Sequence, residues 1–566
     1  MRADRAPSGD PLTGWRYANG VAAVTVPAVV IAAPASGSGK TTVATGLIGA
    51  LRRAGHRVAP FKVGPDYIDP GYHGLAAGRP GRNLDPVLVG AERVVPLYRH
   101  GAHGCDIAVV EGVMGLFDGR IDENVAGPVA EGSTAQVAGL LGAPVVLVVD
   151  ARGHSQSLAA LLHGFVTFDS SVRLGGVILN RVGSERHEQV LRAACDRVGL
   201  PVLGSLPRMS ELEVPSRHLG LIPAVEHGTA ATAAVDAMTE LVAAHVDLAT
   251  VATLAESAAE GQSWDPESEL HALGDRTGTR HGYSAGSGSA VIRRDGAEFD
   301  TTDLNAERRG GGHGPTDPVA VWCGARGSGV ADLTAMRRGS GESGHGDRAL
   351  TGAGPAADFA PTIAMAGGRA FTFGYAEHRE LLVAAGARVV VFDPLHDELP
   401  SDTAGLVLPG GFPEEHAAEL SANTRLLTQV AEQARRGMPV HAECAGLLYL
   451  TRTLDSHPMA GIVDAAAEFG PRLTLGYREA VALADSPLWR AGERVRGHEF
   501  HRTRLIDSGA DAQAWGWHSG SERIREGALV HRVHASYLHT HPAGNPEATM
   551  RFVAAAATYD AARADA

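Results

Sequence analysis

The chain has 566 residues, 44% of them hydrophobic, and a formal net charge of −14. Such a length accommodates about two to four domains with sizeable cores, and the acidic balance argues against a general nucleic-acid or membrane-surface role. Four widely spaced cysteines, Cys105, Cys195, Cys323 and Cys444, suggest neither a disulfide framework nor a zinc site and fit a reducing cytoplasm. The N-terminus, with Asp4 and Asp10 among prolines and glycines, lacks the apolar core of a signal peptide. No apolar run is long enough for a transmembrane helix. The expected setting is cytoplasmic, with no membrane or nucleic-acid partner.

Residues 1–24 read as a poorly ordered lead-in. From 25 to about 250, apolar strand-like runs alternate with helical patterns, the rhythm of a parallel α/β sheet. Val26–Ile31 reads as the first strand. Ala33-Pro34-Ala35-Ser36-Gly37-Ser38-Gly39-Lys40-Thr41-Thr42 follows, and Val43, Leu47 and Leu51 then recur at helical spacing. A glycine-rich turn between a strand and a helix is where a phosphate-binding loop belongs. Gly37 and Gly39 let the backbone aim N–H groups inward, Lys40 can reach the β/γ-phosphates, and the Thr41 hydroxyl can ligate Mg²⁺. Pro34 stands where the first glycine of such loops is usual.

Lys62-Val63-Gly64-Pro65-Asp66-Tyr67-Ile68-Asp69-Pro70-Gly71-Tyr72-His73 follows the second strand, which starts at Val58. Its carboxylates can serve Mg²⁺ or a substrate, and Lys62 a phosphate; a plain Gly/Pro-rich turn is the equal alternative. In Val109-Val110-Glu111-Gly112-Val113-Met114-Gly115-Leu116-Phe117-Asp118-Gly119 an acid ends a buried strand. Glu111 can therefore hold Mg²⁺ directly or through water. Ser133 and Thr134 suit a helix cap. Asp150 and Asn180 each end an apolar strand and can contact nucleotide or phosphate. Arg217 adds a cation close to the domain's end.

Residues 251–361 read as a Gly-rich flexible linker, with Val319-Ala320-Val321-Trp322 as a short ordered island. Residues 362–560 are globular again, with strands at Val389–Phe392, Leu406–Leu408 and Pro439–His441. Pro409-Gly410-Gly411-Phe412-Pro413-Glu414 is a strand-end turn with exposed N–H groups. In His441-Ala442-Glu443-Cys444-Ala445-Gly446 a cysteine lies between a strand and an apolar helix, with small residues two positions either side. This is a nucleophile elbow, and a helix N-terminus there favours a thiolate. Ala535-Ser536-Tyr537-Leu538-His539-Thr540-His541 supplies a base, either His539 or His541. Arg496-Gly497-His498-Glu499-Phe500-His501 is His-rich but reads as structural rather than metal-binding.

A phosphate-loop domain joined to a cysteine-elbow domain resembles an ATP-dependent glutamine amidotransferase. The motifs together resemble the cobyrinic or hydrogenobyrinic acid a,c-diamide synthase family of corrin biosynthesis, over about Val29 to Leu221 and Thr362 to Glu547. The resemblance implies a dethiobiotin-synthetase-like α/β domain and a class I amidotransferase-like α/β domain. It implies ATP with Mg²⁺, a corrinoid substrate and L-glutamine; homodimerisation is compatible with it. Gly37, Ser38, Gly39, Lys40, Thr41, Thr42 and Asn180 are expected on nucleotide, and Thr41, Glu111 and Asp66 on Mg²⁺. Lys62, Tyr67, Asp69 and Asp118 are expected on the substrate. Cys444 would form a thioester with glutamine, Gly410 and Gly411 would donate to the oxyanion, and His539 is favoured over His541 as base. The ammonia released would attack an acyl phosphate formed on a side-chain carboxylate. Ala445 stands where the family usually has glycine, no third triad acid is evident, and the linker is longer than the family's. A cobyric acid synthase acting on other side chains of the ring remains an alternative. So does a partitioning-type ATPase switch, although that class carries a lysine where this chain has Ala35 and needs no cysteine elbow. A catalytically inactive binding protein is a third.

Overall fold

The structure, a computed structural model, describes residues 25–121, 127–208, 216–217, 220–221, 223–278, 360–509 and 512–565. The expected lead-in at 1–24, the island at Val319–Trp322 and the side chain of Arg217 lie outside the described residues.

The N-terminal region is a seven-stranded sheet, every pairing parallel: β1 (Ala28–Ala32), β2 (Val58–Val63), β3 (Arg82–Leu84), β4 (Ile107–Glu111), β5 (Val145–Asp150), β6 (Leu174–Val182) and β7 (Val202–Pro207). Their order is β3-β2-β4-β1-β5-β6-β7. Parallel strands are covered on both faces, so they carry continuous apolar runs. Ala-Val-Val-Ile-Ala in β1 is accordingly buried at every position, and each buried Val or Ile contributes about 1.5–3 kcal/mol relative to exposure. The helix Lys40–Arg53 follows β1, with Gly39 as its N-cap at φ 95 and no side-chain cap. Its first-turn N–H groups thus have no competing side-chain acceptor there.

The expected linker begins too early. Glu256 exchanges backbone hydrogen bonds with Ala28 at 3.0 and 3.1 Å, and the Trp264 N–H donates to the Pro96 carbonyl at 2.9 Å. Trp264 is buried, and a helix spans Pro266–Gly278. The polar composition of this stretch hides its buried residues Ala255, Ala259, Trp264 and Leu270. Residues 279–359 lie outside the described residues.

The C-terminal region carries a six-stranded sheet in the order Arg388–Phe392, Thr362–Ala366, Thr403–Leu408, Val440–Glu443, Val533–Ser536, Ala528–Val530. All neighbours are parallel except the last pair. Beside it stands an antiparallel sheet dominated by the long hairpin Ala466–Ala482/Arg494–Ile506, and His539–Thr540 adds to its edge. The sequence reading found three of the parallel strands but not Thr362–Ala366, Val533–Ser536 or this hairpin, which absorbs the His-rich stretch at 496–501. His498 pairs with His539, and its ring lies edge-on to Tyr477 at 5.4 Å.

The two regions pack together. Arg82 pairs with Glu377 at 2.6 Å and also with Glu380, which receives His100 at 3.0 Å. The Tyr477 hydroxyl donates to Asp85 at 3.0 Å. Arg120 meets Glu479 at 2.9 Å and Arg496 meets Glu131 at 3.0 Å. Phe373 and Phe412 of the C-terminal region are buried in the same apolar cluster as Val43, Ile68 and Tyr72 of the N-terminal one.

Candidate active site

The phosphate loop lies at the C-terminal end of central strand β1, with the ends of β2 and β4 beside it. The Lys40 ammonium bonds the Met114 carbonyl and lies 3.5 Å from that of Ala35. Burial first, and Lys62 second, pull its pKa down to about 8. The Thr41 hydroxyl donates to Glu111 Oε1 at 2.7 Å and meets Asp69 Oδ2 at 3.2 Å. Lys62 donates to Asp69 at 2.6 Å, Glu111 at 2.9 Å and the Gly112 carbonyl at 3.2 Å. His73 Nε2 lies 2.6 Å from Glu111 Oε2. Burial would raise Glu111, but the Lys62 charge and the His73 hydrogen bond hold it below its usual range. Burial, with the charges of Asp66 and Glu111, pushes Asp69 up.

The predicted residues at this end have the following protein partners. Asp66, expected on Mg²⁺, gives its Oδ1 to the N–H groups of Ile68 and Asp69, so it shapes the turn. It is Asp69 that meets Thr41. Lys62, expected on the substrate, spends three N–H donors on three protein acceptors. Asp118 accepts from the Gly115 N–H at 2.9 Å and stiffens the loop behind Lys40. Asn180 donates to the Ser38 carbonyl at 2.9 Å, and a Cβ at Gly39 would sit 2.2 Å from its amide nitrogen. Its amide therefore clamps the loop from behind. Gly37, Ser38, Thr41 and Thr42 stand in the loop and the first helical turn as expected. Tyr67 points away from the loop, into the C-terminal region. His73 was in the stretch singled out but received no role there.

At the other end three adjacent parallel strands bring the second site together, because neighbouring strands end side by side. Thr403–Leu408 delivers the Gly410–Gly411 turn, Val440–Glu443 delivers Cys444, and Val533–Ser536 delivers His539. Cys444 has φ 48 and ψ −96, a strained conformation for a side-chain-bearing residue, and caps the helix Ala445–Leu450. A Cβ at Gly446 would lie 2.2 Å from the Leu408 carbonyl, so the elbow requires glycine there. Cys444 N–H is anchored to the Ser536 carbonyl at 2.7 Å. The thiol is 2% exposed. Burial first and the Glu414 charge second push it up, against the Ala445 N–H. The expected thiolate stabilisation by the helix N-terminus is thus outweighed by desolvation in this closed arrangement.

The two histidines separate. His541 Nδ1 accepts from the Ala543 N–H at 3.2 Å, and its ring packs on Tyr375 at 4.1 Å, so it serves as a helix cap. His539 is fully buried with neither ring nitrogen hydrogen-bonded, and Glu443 Oε2 lies 3.8 Å from its Nδ1. Burial pulls its pKa down to about 4, against the Glu443 charge. A Cβ at Gly410 would stand 2.3 Å from His539 Cε1, so the ring lies against that turn. The acid absent from the sequence reading is Glu443, the residue before the cysteine. It also accepts from the Thr540 N–H at 3.0 Å and hydroxyl at 2.9 Å. Its burial acts upward, but the hydrogen bond and charge of His441 hold it at about 2. Among the described residues no group of three or more His, Cys, Asp or Glu is arranged as a metal cage.

These two ends define a nucleotide-binding domain coupled to a glutamine amidotransferase domain. Residues 29–222 match the CobQ/CobB/MinD/ParA nucleotide-binding domain and residues 362–546 the CobB/CobQ-like glutamine amidotransferase domain. The hydrogenobyrinate a,c-diamide synthase of Mycobacterium tuberculosis is 54% identical over 94% of this chain and 98% of its own. That of Streptomyces coelicolor is 52% identical over 93% and 97%, and the cobyrinate a,c-diamide synthase of Gloeobacter violaceus 38% over 93% and 96%. The chain belongs to the hydrogenobyrinate/cobyrinate a,c-diamide synthase family. No described helix is long and apolar enough to cross a membrane.

Proposed function

We propose that this chain amidates the a and c acetate carboxylates of a corrinoid acid, using ATP and glutamine in the cytoplasm. The observation that carries the reading is the strained Cys444 elbow, whose preceding residue Glu443 lies 3.8 Å from His539 Nδ1, in one molecule with the loop of Lys40. His539 takes the Cys444 proton, and the sulfur attacks glutamine's side-chain amide. The proton then goes to the departing nitrogen, ammonia leaves, and water hydrolyses the thioester to glutamate. N–H groups of the Gly410–Gly411 turn receive the oxyanion. At the other end a substrate carboxylate oxygen attacks the γ-phosphorus and ADP leaves. Ammonia displaces phosphate from the acyl phosphate, which yields the amide. Lys40 faces the charge on the transferred group.

The hard oxygen donors of Thr41 and Glu111, with Asp69 beside them, fit Mg²⁺. Held there by these residues, the ion would neutralise phosphate charge. Tighter identity to hydrogenobyrinate-named relatives favours the metal-free ring as substrate. The test incubates the full chain with ATP, glutamine and either hydrogenobyrinic or cobyrinic acid, and reads products by mass. Two successive carboxylate-to-amide changes, faster on the metal-free ring, are expected; no amide on either ring overturns the reading.

A further inference from the structure

The turn Asp66–Asp69 belongs to both sites. Asp69 at its end receives Lys62 at 2.6 Å and the Thr41 hydroxyl at 3.2 Å. Two positions earlier, the Tyr67 ring stacks on Phe373 at 4.9 Å and 12°, and leans on Tyr375 and on His539, each at 5.1 Å. Phe373 in turn donates its N–H to the Gly410 carbonyl at 3.0 Å. The Tyr67 ring therefore rests against the base and against the wall of the oxyanion turn. Of the rings that contact His539 among the described residues, Tyr67 is the one supplied by the N-terminal region.

Cys444 and His539 are 2% and 0% exposed. Glutamine reaches them only after a wall moves. Phe373 and Gly410 are tied to each other by a backbone hydrogen bond, whereas Tyr67 is held by ring contacts. The turn that carries it is rigid, because Asp66 Oδ1 accepts from both the Ile68 and Asp69 N–H groups at 2.8 and 3.1 Å. Asp69 pairs with Lys62 and Thr41, and a cation arriving with nucleotide phosphates would compete for it. A ligand that favours pairing with the cation shifts the whole turn by its differential affinity.

We infer that Tyr67 is a positioning residue that closes the glutamine site and makes its opening depend on occupation of the nucleotide site. This rests on the amidotransferase reading above, with Cys444 as nucleophile.

The experiment follows alkylation of Cys444 by iodoacetamide in the full chain, read on its peptide by mass spectrometry, with and without Mg²⁺ and a non-hydrolysable ATP analogue. In the unaltered chain alkylation is slow and the analogue accelerates it about tenfold, the size of an ordinary coupling between sites. Tyr67→Ala is fast without analogue and gains nothing from it, and it releases more glutamate per amide formed. Tyr67→Phe keeps the ring and keeps the response. Arg82→Gln breaks the interface pairs with Glu377 and Glu380 without touching His539, and also keeps the response. If Tyr67→Ala does not fold, as judged by circular dichroism, Tyr67→Leu carries the same test. A Tyr67→Ala chain that still responds to the analogue, or an Arg82→Gln chain that loses the response equally, overturns the inference. Normal glutamine hydrolysis by Cys444→Ser overturns the amidotransferase reading instead, so the two failures are distinguishable.

Discussion

At the nucleotide end the buried acids Asp69 and Glu111 have Lys62, Thr41 and His73 as built-in partners. At the cysteine end His539 is buried with both nitrogens unbonded, and Cys444 favours its neutral thiol. The first site is charged and internally neutralised; the second is held in its uncharged, closed form by desolvation. Buried charge must be paired or it titrates away, so a site that handles phosphates keeps counter-ions in place. A site that must not hydrolyse glutamine idly can leave its base unpartnered until substrate enters.

The comparison predicts where each site breaks. Cys444→Ser is expected to lower glutamine-driven amidation by about 10⁴-fold, as removal of a covalent nucleophile does. Free ammonium at raised pH restores amidation, since the nucleotide end is intact; normal rates with glutamine would remove Cys444 as nucleophile. Lys40→Ala is expected to lower amidation by about 10³-fold with either nitrogen source, by loss of a charge on the transferred phosphoryl. Basal glutamine hydrolysis persists, so parallel assays of glutamate and amide separate the two ends. His539→Asn should slow glutamine hydrolysis by about 10²-fold, the typical worth of a general base. His541→Asn keeps an acceptor for the Ala543 N–H and should stay near the unaltered rate. If His541→Asn alone abolished hydrolysis in a folded chain, the assignment of the base would reverse.

The smallest effect sharpens the electrostatic contrast. His378, His498 and His534 are pulled down to about 3, and His539 and His541 to about 4, with burial the first cause in each. Their folded pKa values lie below the ordinary 6.5, so the unfolded chain binds more protons between about 6.5 and 4. Stability is present above that window and is lost as pH falls through it, by about 1 kcal/mol per histidine between about pH 7.5 and 5.5. Asp85, raised to about 6, Glu526, raised to about 8, and Asp69, each pushed up by burial, act in the opposite sense and reduce the net loss below what the five histidines alone would give. The urea midpoint should drop over this range, with the C-terminal region unfolding first; an unchanged midpoint would contradict the buried neutral state of these rings.

Much of both sites was legible because each motif is local. The strand–glycine–lysine–helix run at 26–51 and the elbow at 440–450 announce themselves by the switch from strand to helix patterning. Glu443 was not read as the acid although it stands one position before Cys444, because nothing local marks an acid as facing a histidine 96 positions later. The folded stretch at 255–278 was missed because its few buried anchors, Ala255, Ala259, Trp264 and Leu270, and its backbone pairing with Ala28 lie within polar composition. The long hairpin at 466–506 was missed because its strands, which pair with each other, alternate weakly between buried and exposed positions.

Sequence by itself determined the two chemistries, since phosphate loops and cysteine elbows need particular residues at fixed short spacings, which backbone geometry imposes locally. Tertiary structure decided which residues are engaged and by whom. It gave Asp69 rather than Asp66 to Thr41, tied Lys62 to acids, turned His541 into a cap and left His539 unbonded, and carried Tyr67 out of one region onto the base of the other. The physical reason is that hydrogen-bond partners and desolvation are set by neighbours distant in the chain, and no spacing rule reports where adjacent strand ends will place them.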